Sequence, residues 1–173
     1  RAASAGVPVV IVPSPDPRAL ETAIDAASRQ GTIVSHLSLV AAQLVGLLEG
    51  SDDRRPPTGL RAVVLGGGPI PPTLVRRAVR AGWPVVPSYG MTETASGVVA
   101  LLDDEGEAAP STATVGRPLP GVELRVKDGE IQVRGDFIML GYWNRPEATR
   151  EAIDEQGWLH TGDLAVERPD GAI

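Results

Sequence analysis

Two stretches of this sequence share one design. In AVVLGGGPIPP an apolar run enters the triplet Gly66–Gly67–Gly68, and a helical pattern follows. In VVPSYGMTETASG the short apolar run Val85–Val86 opens into Ser88, Tyr89, Gly90, Met91, Thr92, Glu93 and Thr94. Two exits from strand to glycine-bearing loop, roughly twenty residues apart, suit neighbouring parallel strands whose carboxyl ends form one crevice, the place where open α/β sheets bind ligands. Glycine lets backbone approach a ligand closely. Hydroxyls and free N–H groups suit phosphate, and a lone carboxylate suits magnesium. The glycine triplet alone is a weak signal, since a plain turn explains it; the second stretch is moderately specific, with a core tyrosine as a serious competing reading for Tyr89.

The elements around these loops fit the same class. The sequence predicts a buried strand at Val7–Val12 and a helix over Arg18–Arg29, capped by Asp16 with Pro17 at its first position and closed by Gly31. A strand at Thr32–Ser35 completes a crossover unit. Leu37, Val40, Leu44, Leu47 and Leu48 recur at helical spacing, which predicts a helix over Leu37–Leu48 with His36 at its entrance. A strand at Leu60–Leu65 leads into the glycines, and a helix at Thr73–Ala81 follows Pro71–Pro72. Its Arg76, Arg77 and Arg80 read as a solvated face.

After the second loop, Ser96–Leu102 reads as a strand and the acidic, Pro- and Gly-bearing Asp103–Thr112 as a loop. Val122–Lys127 and Glu130–Arg134 form a predicted hairpin about Asp128–Gly129. A helix starts at Pro146, and a strand covers Leu164–Glu167. The fold class is thus α/β: a mostly parallel sheet with flanking helices over residues 1–112, then a small β-rich subdomain over 113–173.

Composition narrows the function. The net charge of −6 argues against nucleic acid as a partner. With no cysteine there is no disulfide or thiolate metal site. No apolar stretch is long enough to span a membrane, and no leader peptide is evident, so a cytoplasmic protein is expected.

SYGMTE, preceded by LGGGPIP and followed by GYWNRPEAT and GWLHTGDL, resembles the signature series of the adenylate-forming enzymes, which include acyl- and aryl-CoA ligases, luciferases and peptide-synthetase adenylation domains. The matches run in order from about Leu65 to Leu164. SHLSLVAAQLVGLLE is most similar to the o-succinylbenzoate–CoA ligases of menaquinone synthesis.

This resemblance implies ATP, Mg²⁺ and CoA as co-reactants of a small carboxylic acid. It implies that Gly67, Gly68 and Pro69 wall an adenine slot, with Ser88, Tyr89, Gly90 and Met91 completing the nucleotide site and Tyr89 stacking on the base. Thr92 would meet the α-phosphate and Glu93 would hold the metal, making these two the catalytic pair. Asp163 in Thr161–Gly162–Asp163 would accept the ribose hydroxyls, a pairing that an acceptor-only carboxylate favours. His36, Gly66 and Thr114 would line the acyl site. Tyr142, Trp143, Trp158 and His160 read as structural packing.

The family also carries a phosphate loop with a lysine, and a C-terminal lid domain with a catalytic lysine. Neither is found here, and Lys127, the only lysine, falls in the predicted hairpin. The chain is therefore expected to be a central piece, unable to turn over alone. Fatty- or aryl-acid ligation and a non-catalytic nucleotide-binding role are the alternatives. Sheet edges left open in such a piece invite association, a homodimer in the simplest case.

Overall fold

The computed structural model describes residues 6, 8–12, 16–49, 55–102 and 114–173. A five-stranded sheet runs in the order β1 (His36–Leu39), β2 (Ala62–Leu65), β3 (Val85–Gly90), β4 (Gly97–Ala100) and β5 (Arg117–Pro118). The first three strands are parallel, and β4 and β5 are antiparallel. Helices α1 (Pro17–Arg29), α2 (Ala41–Glu49) and α3 (Pro72–Arg80) flank this sheet. A separate antiparallel sheet holds β6 (Glu123–Lys127), β7 (Glu130–Arg134) and β8 (Leu159–Leu164), with α4 (Pro146–Ala152) between the last two.

The expected helix starts are present. The Asp16 carboxylate accepts from Arg18 N at 2.9 Å, and Pro17 stands in the first turn. This meets one of the donors that a helix start leaves open. Proline also opens α3 and α4.

Several expected elements shift. His36–Leu39 is a strand and not the start of a helix. Leu37 and Leu39 are buried while His36 and Ser38 are exposed, an alternation of period two. All four residues pair in register with Ala62–Leu65. The spacing of Leu37 and Val40 imitates a helical period, so sheet pairing decides what the pattern leaves ambiguous. α2 therefore begins at Ala41, and residues 32–35, expected as a strand, are irregular.

The first apolar run is also different. Residues 8–12 form no strand, and Val10 and Ile11 are 67% and 83% exposed. β1 is the margin of the sheet and pairs only with β2, so no ladder takes this segment in. β3 extends through Gly90, which puts Ser88 and Tyr89 on a strand and not in a loop. The strand expected at 164–167 ends at Leu164, placing Asp163 inside β8. The acidic stretch 103–112 and the division at 112/113 fall outside the described residues.

Two apolar clusters hold the chain together. One packs Leu44, Leu47, Val63, Leu65, Leu74 and Trp83 between the parallel strands and their helices. The other joins Val98 and Val99 of β4 to Ile131, Val133 and Leu159 of the small sheet. Tyr89 and Met91 pack against this second cluster, so the second signature loop sits where the two sheets meet.

Candidate functional site

The crevice expected beyond the parallel strands is a cleft of about 890 Å³. Gly67, Gly68 and Pro69 line one side, Ser88, Tyr89 and Gly90 the floor, and Asp163 with Leu164 and Val166 the far side. Seven of the residues expected to bind nucleotide thus converge from both sheets, from positions up to 96 apart in sequence. That size suits a nucleotide-scale ligand.

The Tyr89 hydroxyl donates to Asp163 Oδ2 at 2.7 Å and ties the two walls together. Burial is the main reason that the Tyr89 phenol is pushed up to about 12, and its bond to Asp163 adds to the effect. The hydroxyl therefore stays protonated, and the ring presents an apolar face with a polar tip. Backbone closure is tight at Gly90, where the register with β4 shifts. A Cβ there would lie 2.3 Å from Ser96 O, so only glycine fits.

Thr92 and Glu93 lie one step beyond, in a single 3₁₀ turn, Thr92–Thr94. They follow the lining residue Gly90 but do not line the cleft themselves. Met91 packs inward on the second core. Two residues that sequence reasoning missed fix this turn. Thr94 is buried, accepts from Met91 N at 3.0 Å and donates to Ser96 O at 2.7 Å. Tyr142, expected to be packing, donates its hydroxyl to Glu93 Oε1 at 2.8 Å. This bond is the chief cause of the raised Tyr142 pKa. No spacing in the sequence announces a partner 49 residues away. Among the described residues no three His, Cys, Asp or Glu side chains gather as a metal centre. A cation at Glu93 would need oxygen ligands from its own ligand, as the phosphates of a nucleotide supply.

The expected acyl residues do not converge. Gly66 lines a second cleft of about 490 Å³, with Leu39, Val40, Val86, Val99 and Leu119 among its apolar walls. Thr114 lines the first cleft instead, its hydroxyl donating to Ile173 O at 2.6 Å. His36 lines neither. It starts β1, at the opposite end of the parallel strands from the crevice, and its Nδ1 lies 2.9 Å from Ser35 Oγ. The two clefts meet at Gly67 and Ser88, which line both.

The described residues lining the first cleft include no lysine or arginine. Lys127 ends β6 and lines neither cleft. Among the described residues no helix is long and apolar enough to cross a membrane.

Comparison with known proteins bears on this geometry. The sequence pattern of the family described as AMP-binding enzyme matches residues 2–143. A 2-succinylbenzoate–CoA ligase of Bacillus cytotoxicus is 38% identical over 97% of this chain and 35% of its own length. The chain thus spans about a third of that relative. Among solved structures, o-succinylbenzoate coenzyme A synthetase of Bacillus subtilis, in complex with ATP and magnesium ion, superposes with a TM-score of 0.73. It is 32% identical and covers 88% of this chain and 33% of that one. The amide bond synthetase of Marinactinospora thermotolerans gives a TM-score of 0.74 at 32% identity, again over 88% of this chain and 33% of that one.

Proposed function

Since the chain belongs to the AMP-binding enzyme family, we propose that it builds the nucleotide and acid sites of a longer acid–CoA ligase that acts on o-succinylbenzoate. The observation that carries this reading is the pair of clefts meeting at Gly67 and Ser88. A nucleotide in the larger cleft and an acid in the smaller, more apolar one would face each other across these two residues. That is the arrangement an attack of carboxylate on α-phosphorus needs.

In this reading Gly67, Gly68, Pro69 and the Tyr89 ring enclose the adenine, while Ser88 and Gly90 floor the slot and Met91 backs it. Asp163 takes the ribose hydroxyls. Thr92 donates to the α-phosphate, and Glu93, held by Tyr142, takes the magnesium. A carboxylate oxygen of the acid bonds to the α-phosphorus, the bond to the bridging oxygen breaks, and pyrophosphate leaves. The thiol of CoA then displaces AMP from the acyl carbon. Magnesium supplies the positive charge that the approach of two anions requires. The described residues that line this cleft include no cation, so in this reading magnesium carries the charge that the two anions need, and this piece alone would not complete the reaction.

Pyrophosphate release by the full-length protein tests this, with MgATP and a panel of acids. Selectivity for o-succinylbenzoate over benzoate, fatty acids and amino acids is the expected result, and preference for another acid overturns the assignment of substrate. Glu93→Gln should lower Mg-dependent adenylation on the order of 10²-fold, and unchanged adenylation would remove Glu93 from the metal site. The similarity to an amide bond synthetase, as strong in structure as that to the CoA synthetase, favours a second reading in which an amine takes the acyl group. Offering CoA and amines to the preformed adenylate separates the two by product, thioester or amide.

A further inference from the structure

The Thr161–Gly162–Asp163 triplet is a bulge. β7 and β8 pair Gln132 with His160 and then Glu130 with Leu164. Between these two pairs β7 has one residue, Ile131, and β8 has three. Such a bulge leaves the extra backbone groups without ladder partners and re-aims the side chains it carries. Here side chains satisfy it. The Thr161 hydroxyl donates to Ile131 O at 2.7 Å and accepts from Asp163 N at 3.1 Å. The N–H of Gly162, whose φ of +73° favours glycine, donates to Glu130 Oε1 at 2.9 Å.

Glu130 is itself held. Its other oxygen accepts from Gln132 Nε2 at 3.1 Å and, with the hydrogen of His160 on Nδ1, from His160 at 3.1 Å. Gln132 is buried, and its own oxygen accepts from Arg125 Nε at 2.8 Å. The carboxylate is thus fixed at three points. A charged acceptor on a backbone N–H makes a stronger bond than a neutral one. These donors, Gln132 first, hold the Glu130 carboxyl below its ordinary range.

We propose that Glu130 is a positioning residue for nucleotide recognition: it locks the bulge through Gly162 N and so aims Asp163 into the cleft. Glu130 does not line the cleft, so it acts through Asp163 and not on the ligand. The proposal rests on the reading that Asp163 meets the ribose.

The test compares AMP with 2′-deoxy- and 3′-deoxy-AMP by equilibrium binding to the full-length protein. Wild type should prefer AMP over each deoxy analogue by tenfold or more. Glu130→Ala should lower that preference at least fivefold while weakening the deoxy analogues by less than twofold. In an Asp163→Asn background the same change should have no further effect on the preference. A merely structural role would weaken all three nucleotides alike, and that result overturns the proposal. Should Glu130→Ala not fold, Glu130→Gln decides. It keeps an oxygen for Gly162 but sets amide hydrogens against Gln132 and His160, and its preference should fall about threefold; an unchanged preference overturns the proposal. A wild type that binds AMP without regard to its ribose hydroxyls, or does not bind it, overturns the ribose reading itself and the proposal with it, a failure distinct from one seen only in the variants.

Discussion

The two sheets that meet at the cleft are held together by different forces. Around the parallel strands the core is apolar and uncharged: Leu44, Leu47, Val63 and Leu65 are 1% exposed or less, with Trp83 packed among them. In the small sheet Val133 and Leu159 are as deeply buried, but a charged and aromatic layer surrounds them. The Arg125 and Arg134 guanidiniums lie 4.1 and 4.5 Å from the centre of the Trp158 ring. Arg134 pairs with Glu123, and Asp154 Oδ1 accepts from the N–H groups of Gln156 and Trp158. What each sheet brings to the cleft follows. The parallel sheet offers glycine backbone and apolar walls, which suit a base. The small sheet offers Asp163 on a bulge pinned by polar side chains, which suits a sugar. Burial of apolar area tolerates changes of pH and salt, whereas hydrogen bonds to exposed carboxylates do not.

The largest effect that separates the halves is expected in the first. Leu44→Ala should cost about 2–5 kcal/mol of unfolding free energy, through lost transfer energy and the cavity left behind. Denaturant titration measures it. A loss well under 1 kcal/mol would mean that the helix layer does not set the stability of the parallel sheet.

A smaller effect should appear in the second half on acidification. The carboxyls of Glu123, Glu130 and Asp154 titrate below their ordinary values, held by Arg134, by Gln132 and by Trp158 N respectively. Their folded values lie under the unfolded ones, so the unfolded chain binds protons first as the pH falls. The stabilisation is complete above about pH 4, the ordinary carboxylate range, and disappears as the pH drops through the lower folded values. Hydrogen exchange should therefore show Val133 and Leu159 losing protection as the pH falls below about 4, before Val63 and Leu65 do. Simultaneous loss would make the two sheets one cooperative unit.

This contrast also explains what could be read in the sequence. Local signals were legible: glycines after apolar runs, Asp16–Pro17 at a helix start, and the Asp128–Gly129 turn with strands on either side. The two segments that line the larger cleft, Gly67–Pro69 and Ser88–Gly90, are legible because glycine and hydroxyl content marks them. Signals that depend on a distant partner were not legible. His36–Leu39 looks helical until β2 pairs with it. The segment 8–12 looks buried until the sheet ends at β1. Thr161–Gly162–Asp163 stands just before the strand expected at Leu164–Glu167, and only its pairing with β7 makes it a bulge within a strand. The hydroxyls of Tyr89 and Tyr142 find their carboxylates 74 and 49 residues away, separations at which spacing carries no information.

The smallest effect reads the join between the halves. The bond from Tyr89 to Asp163 crosses from one sheet to the other. Residues 1–173 contain two tyrosines, so in this span Tyr142→Phe leaves Tyr89 alone for tyrosinate absorbance. In that background the midpoint should stand at about 12. Because the folded value lies above the ordinary 10, the stability it contributes is complete below pH 10 and is lost as the pH rises through the folded value. The titration is therefore read after a rapid pH jump, before the chain opens. Asp163→Asn should lower the midpoint toward 10 but not all the way, because burial raises it more than Asp163 does. An unchanged midpoint would mean that the sheets meet in solution without this hydrogen bond, and that Asp163 keeps both oxygens for a ligand. A lowered midpoint would mean that any ligand hydroxyl bound by Asp163 must share or displace the tyrosine, so that binding at Asp163 and the tie between the sheets are coupled.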